Sequence, residues 1–129
     1  MEKIQLTALA LHLLDLPEKI KKTQLLTIER NQNLHELETS LASLEGAIRL
    51  KINEKVDTNG KKVYSNAEAR EIAFLEATQF DTEIKDLRDK VLALQNEIQS
   101  LKVEYEAVSN EQRNIRSVLH FFAESSESA

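Results

Sequence analysis

Several residue types that most small proteins use are missing or scarce in this 129-residue chain. The absence of cysteine excludes disulfide bonds, thiolate metal sites and thiol catalysis. Only 2 glycines, 1 proline and 5% aromatic residues are present, too few for the turns and bulky core of a compact globule. Charged residues make up 30% of the chain. This composition is typical of long helices and coiled coils.

The N-terminal apolar run, which ends at Leu16, is interrupted by Gln5, Thr7, His12 and Asp15. A secretory signal peptide needs an uninterrupted apolar core and a small-residue cleavage site, and a membrane-spanning helix needs about 20 apolar residues. Neither pattern is present, and small secreted proteins usually contain disulfides. We therefore expect a cytoplasmic protein that does not enter a membrane.

The chain offers no pattern typical of catalysis or of cofactor binding. His12, His35 and His120 are far apart, and none has a second histidine four residues away, as a helical metal site would require. Glycine-rich phosphate loops are absent, and long helices paired in a coiled coil, which this composition favours, lack the pocket that perturbs catalytic carboxylates. We predict no enzyme activity, no metal, no cofactor and no small-molecule substrate.

A heptad pattern runs through the second half of the chain. Apolar residues alternate at spacings of three and four, which is the a/d seam of a coiled coil. The seam positions are Ile84, Leu87, Val91, Leu94, Ile98, Leu101, Tyr105, Val108, Gln112, Ile115, Leu119 and Phe122. Ser65 and Glu68 have the spacing of a capping box, so the pattern predicts one helix over residues 66–122.

The first half contains a matching seam at Leu34, Leu37, Leu41, Leu44 and Ile48, which continues backward more weakly through Ile20, Thr23, Thr27 and Arg30. Proline is tolerated in the first turn of a helix, where its missing N–H costs nothing, and Asp15 and Glu18 on either side of Pro17 have capping-box spacing. We therefore predict a short helix over residues 2–14 and a long one over 17–54. The polar seam residues either fix the register or mark a place where pairing loosens.

Asn59-Gly60, between the two long patterns, favours a type I′ hairpin turn. We expect Val56 to face Val63 in a small β-hairpin, and the helices outside it to pair antiparallel. This register brings Leu44 near Ala77, Leu41 near Phe80 and Leu34 near Leu87. A parallel multimer through residues 84–122 is the alternative, because isoleucine or valine at a and leucine at d suit it.

The predicted fold is therefore all-α, an antiparallel two-helix coiled-coil hairpin with a short β-hairpin at the tip and a short N-terminal helix. Residues 1–16 form an apolar oligomerisation helix, residues 17–123 form the hairpin with its tip at 55–64, and residues 124–129 form a flexible acidic tail.

The N-terminal segment is apolar on more than one face, and a helix of that kind needs burial on most sides. One of its faces can pack on the far end of the chain, which leaves the other for self-association. We predict a homo-oligomer whose interface contains Ile4, Leu6, Leu9, Leu11, Leu13, Val118, Phe121 and Phe122. A local three-helix cap within one chain is the alternative.

Basic residues gather at the predicted tip: Arg49, Lys51, Lys55, Lys61, Lys62 and Arg70, with Tyr64 among them. One interpretation is a solvated turn. The other is a patch that contacts the phosphates of single-stranded nucleic acid while Tyr64 stacks on a base. The formal net charge of −5 is not that of a general nucleic-acid binder.

The segments Tyr64-Ser-Asn-Ala-Glu-Ala-Arg70 and Leu101-Lys-Val-Glu-Tyr105 resemble small helical-hairpin proteins encoded by phages and mobile elements. The resemblance covers residues 55–122. The layout is also similar to recombination mediators of tailed phages, oligomers that load recombinase onto single-stranded DNA, which implies an accessory role in DNA metabolism. A second resemblance, to the β-type prefoldin subunit with its β-hairpin between two helices, implies a protein-binding adaptor or scaffold.

Overall fold

The computed structural model describes the backbone of residues 2–128 and the side chains of residues 2–125. The helices are α1 (Lys3–Glu54), α2 (Ala67–Gln79) and α3 (Thr82–Ser128), and α1 pairs with α3. The chain forms two compact units. The first contains the chain up to Asn31 together with the chain from Glu97 onward, and the second contains Gln32–Asn96.

The heptad pattern predicted the inward face of both long helices correctly. On α3, Ile84, Ile98 and Ile115 are buried, and the other predicted seam positions are half-buried except Tyr105, which is 37% exposed. The same periodicity continues on α1, where the weak seam residue Thr23 is buried. Side chains three and four residues apart share one side of a helix, so this pattern reports burial directly.

Pro17 does not separate two helices, as the sequence analysis predicted, but lies inside the continuous helix α1. Proline inside a helix loses one hydrogen bond and costs about 3 kcal/mol. Burial on both sides of it offsets that cost, because Leu16 is fully buried and Leu13 and Ile20 are half-buried. The prediction of a separate short N-terminal helix was therefore wrong. The assignment of residues 1–16 to oligomerisation stays a prediction.

The predicted second helix is two helices, because the chain breaks at Phe80 and Asp81. Asp81 caps α3: its Oδ1 accepts a hydrogen bond of 3.0 Å from the backbone N–H of Ile84. Helix α2 is capped by Asn66 rather than Ser65, since the Asn66 Oδ1 accepts from the backbone N–H of Ala69 at 2.7 Å. The capping box predicted at Ser65 was one residue early, and α3 continues to Ser128 rather than ending near 122.

The break changes the register that the sequence predicted for the second unit. Phe80, the predicted neighbour of Leu41, is 84% exposed, and Thr78 is buried in place of Ala77. Leu44 and Leu87 line the same shallow groove. Near the tip, Ile48 packs against the core cluster of Ile52, Ala73 and Phe74.

The predicted β-hairpin at the tip is absent, since no strand occurs among residues 2–128. A single antiparallel bridge joins Val56 to Lys62, not to Val63. The Gly60 N–H donates to the Asp57 carbonyl at 3.1 Å, and among the described residues only Gly60 has a positive φ, of 79°. A type I′ turn needs positive φ at two central residues. Because Asn59 has no positive φ, the turn is one residue longer than a type I′ turn. The pairing beside it is a single bridge, which is too short to form two strands.

Over the described residues, none of the three helices combines the length and the apolar character that crossing a membrane would require.

Candidate interaction surfaces

The side of α1 that faces away from α3 in the first unit carries uncovered apolar side chains. Five large apolar side chains on it are between 55% and 79% exposed: Ile4, Leu11, Leu14, Leu25 and Ile28. We call these five residues the outer face of α1. Two shallow grooves run beside it. Ile4, Ala8 and Leu11 line the first, and Leu25 lines the second together with mostly charged residues, Glu18 and Lys21 among them.

The opposite side of the same helical segment is covered. Leu6, Leu9 and Leu13 are half-buried, as are Val118 and Phe122 near the end of α3. The structure thus divides the residues predicted to form the oligomer interface. Ile4, Leu11 and Phe121 are exposed. The Phe121 ring meets that of Phe122 edge-on, with 5.3 Å between ring centroids. The half-buried residues already have neighbours in their own unit.

Sequence analysis missed Leu14, Leu25 and Ile28 as members of this surface. The signal was present, since Ile4, Leu11 and Leu25 fall on one heptad position and Leu14 and Ile28 on another. Two charged residues at the corresponding positions between them, Glu18 and Lys21, interrupt the apolar pattern.

Polar seam residues of the first unit are satisfied without a buried network. The Thr23 and Thr27 hydroxyls donate to the carbonyls of Lys19 and Thr23 in their own helix, at 2.9 Å and 2.8 Å. Among residues 2–125 no buried side-chain nitrogen or oxygen lacks a hydrogen-bond partner. These threonines therefore fill the seam as if they were apolar residues, and they make no directional bond to α3.

Arg30, the charged seam residue, reaches across to α3. Its Nε donates to Glu97 Oε1 at 2.6 Å, and its side chain also contacts Glu29 at 3.2 Å. The hydrogen bond to Glu97 and the negative charge of that carboxylate raise the pKa of Arg30 above its ordinary value. Further along the first unit His12 Nε2 lies 2.6 Å from Glu111 Oε1, so both contacts place polar groups at the rim of the seam.

Arg49, one of the predicted nucleic-acid contacts, holds α1 against α2. Its guanidinium donates to Glu71 Oε2 at 2.9 Å and stacks 3.6 Å from the centroid of the Phe74 ring. Phe74 itself is buried with Ile52 and Ala73. An arginine engaged by a carboxylate and an aromatic face would have to leave both to contact a phosphate.

Four more of the predicted residues have contacts within the tip. Lys62 Nζ donates to the Asn53 carbonyl at 2.6 Å. The Arg70 guanidinium donates to the Tyr64 carbonyl at 3.5 Å, and Lys55 Nζ lies 5.9 Å from the centroid of the half-buried Tyr64 ring. These contacts close the loop between α1 and α2, and they give Lys62 and Arg70 a structural role.

Lys51 and Lys61 complete the predicted set, and both side chains are exposed. The structure thus gathers all seven residues in or beside the tip of the second unit, but it leaves only Lys51, Lys55 and Lys61 as exposed cations outside a tight bond. Within the part of the chain that the structure describes, no group of three histidine, aspartate or glutamate side chains could hold a metal ion.

Comparison of the chain with protein-family models, with curated proteins and with solved structures finds no match. The fold and the surfaces described above are therefore what bears on its function.

Proposed function

We propose that this protein is a non-catalytic coiled-coil accessory protein that works as a homo-oligomer, and that the outer face of α1 joins the copies. The supporting observation is the exposure of its five large apolar side chains in a helix whose other side is already covered. Isolated exposed leucines are ordinary, but large apolar side chains that recur along one side of a helix, here on either side of Glu18 and Lys21, are typical of an interface.

Leu11→Glu should shift the protein toward monomer, because it places a charge between the exposed side chains of Ile4 and Leu14. Burying a leucine side chain contributes about 1.5–3 kcal/mol, so we expect the dissociation constant to rise at least about tenfold. Sedimentation equilibrium at micromolar concentration measures it. Leu50→Glu is the matched control, since Leu50 is a similarly exposed leucine of α1 away from the outer face.

A wild-type protein that sediments as a monomer at these concentrations would remove the proposal. Equal weakening by Leu11→Glu and Leu50→Glu would do the same for the role of the outer face. Circular dichroism of each variant checks that helical content is unchanged.

Contact with single-stranded nucleic acid is a second candidate function, supported by the exposed lysines of the tip and by the resemblance to phage recombination mediators. Lys51, Lys55 and Lys61 are the residues with side chains exposed enough to reach phosphates. A protein-binding adaptor remains the alternative, although its likeness to prefoldin relied on a β-hairpin that the described residues lack.

Lys51→Glu combined with Lys61→Glu should weaken oligonucleotide binding without unfolding the tip, because neither side chain takes part in the contacts that close it. Loss of two phosphate contacts should also reduce the salt dependence of log K by about 1.4 for a single strand. Fluorescence anisotropy with a labelled oligonucleotide at several salt concentrations measures both effects.

Lys85→Glu with Lys102→Glu provides the same charge change at exposed positions outside the tip. If both double variants lose affinity equally, binding depends only on overall charge. If the wild type does not bind at low salt, the adaptor alternative replaces this candidate.

A further inference from the structure

We propose that two copies of this chain pair antiparallel along the outer face of α1, with Glu18 of each copy opposite Lys21 of the other. This inference rests on the proposed self-association and adds its geometry: the occupant of the outer face is the same segment of a second copy.

The outer face is a second heptad seam on the same helix as the first. Ile4, Leu11, Glu18 and Leu25 are seven residues apart, and Thr7, Leu14, Lys21 and Ile28 follow three residues after each of them. All eight residues are exposed. A helix with seams on two sides can pack on two other helices at once, and α3 covers only one side.

Antiparallel pairing matches every layer of this second seam between residues 11 and 28. In an antiparallel coiled coil, the first type of heptad position on one helix meets the second type on the other. With Glu18 opposite the second copy's Lys21, Leu14 lies opposite Leu25, and Leu11 lies opposite Ile28. Each apolar residue then meets an apolar residue, and each charge meets its opposite.

The residues that flank the seam follow the same rule. Asp15 and Lys22 are exposed and each follows a seam residue directly, Leu14 and Lys21 respectively. In the antiparallel register Asp15 of one copy lies beside Lys22 of the other. Because the arrangement is two-fold symmetric, every favourable pair occurs twice, as in an isologous dimer.

Parallel pairing of the same face is disfavoured by the same residues. A parallel dimer would put Glu18 opposite Glu18 and Lys21 opposite Lys21 at the centre of the interface. Like charges at such positions are costly and select against that orientation. Charge therefore specifies the direction of pairing, while the leucines and isoleucines on either side supply the burial.

The single variants Glu18→Lys and Lys21→Glu test this register. Each creates two like-charge pairs in an antiparallel dimer, so each should raise the dissociation constant at least about tenfold. An equimolar mixture of the two should restore association as a heterodimer, and so should Glu18→Lys with Lys21→Glu in one chain. Sedimentation equilibrium follows all four samples, with circular dichroism to check helical content.

Cysteine pairing gives an independent test, because the native chain has no cysteine. A mixture of Leu14→Cys and Leu25→Cys should form an intermolecular disulfide under mild oxidation, whereas Leu14→Cys alone should not. A disulfide in Leu14→Cys alone would indicate parallel pairing and would overturn the proposal.

The outcomes separate this proposal from the broader one. A monomeric wild type removes both. A wild-type oligomer whose association is unaffected by the single charge changes, or is not restored by mixing, overturns the antiparallel register and leaves self-association in place.

Discussion

Replacing Phe74 by alanine should lower the free energy of unfolding by about 3–5 kcal/mol. Phe74 is 4% exposed and lies in the core of the second unit with Ile52 and Ala73. Its loss leaves a cavity and removes the surface on which the Arg49 guanidinium stacks at 3.6 Å. Urea denaturation followed by circular dichroism measures the change, at one protein concentration because association also stabilises the folded chain.

Phe80→Ala is the matched control, since it removes the same side chain from a position that is 84% exposed. We expect a change within about 0.5 kcal/mol. Comparable losses at Phe74 and Phe80 would contradict the break between α2 and α3, because a continuous helix with the register expected from the sequence would bury Phe80.

Leu16→Ala should lower the free energy of unfolding by about 2–5 kcal/mol. Leu16 is fully buried in the first unit, directly before Pro17, and its burial offsets the hydrogen bond that proline removes. Leu92→Ala is the control, because Leu92 is an exposed leucine within α3. Thermal denaturation at fixed concentration compares the two.

A loss of under about 1 kcal/mol at Leu16, below the range for buried leucine, would have a clear meaning. The N-terminal segment would then be separate from the core, as the position of Pro17 alone suggested.

The inward faces of α1 and α3 could be predicted because burial follows the spacing of apolar residues directly. The break at Phe80 and Asp81 could not, because Phe80 fits the heptad pattern as well as a buried residue would. The continuation of α1 through Pro17 could not be predicted for a related reason. The rule that proline ends helices describes the local loss of a hydrogen bond, whereas the burial of Leu16 depends on tertiary packing.

The candidate surfaces were predictable to different degrees. The position of the basic residues at the tip followed from the sequence, but their roles did not, because the contact of Arg49 with Glu71 depends on how α1 meets α2. The outer face of α1 was detected only at Ile4 and Leu11. Glu18 and Lys21 concealed its continuation, although the same two charges now suggest its partner.

An aliphatic heptad seam alone does not fix how two helices are aligned along their length. If one helix slides by seven residues, apolar side chains again lie opposite each other. Thr23 does not fix the alignment of the two helices, because its hydroxyl donates to a carbonyl of its own helix. The charge pairs at the rim of the seam do favour one alignment. These are Arg30 with Glu97 in the first unit, and Glu45 with Arg88 at 3.0 Å in the second. Salt screens such partly exposed pairs, so the longitudinal alignment of α1 and α3 within each unit is better specified in dilute buffer than at high ionic strength.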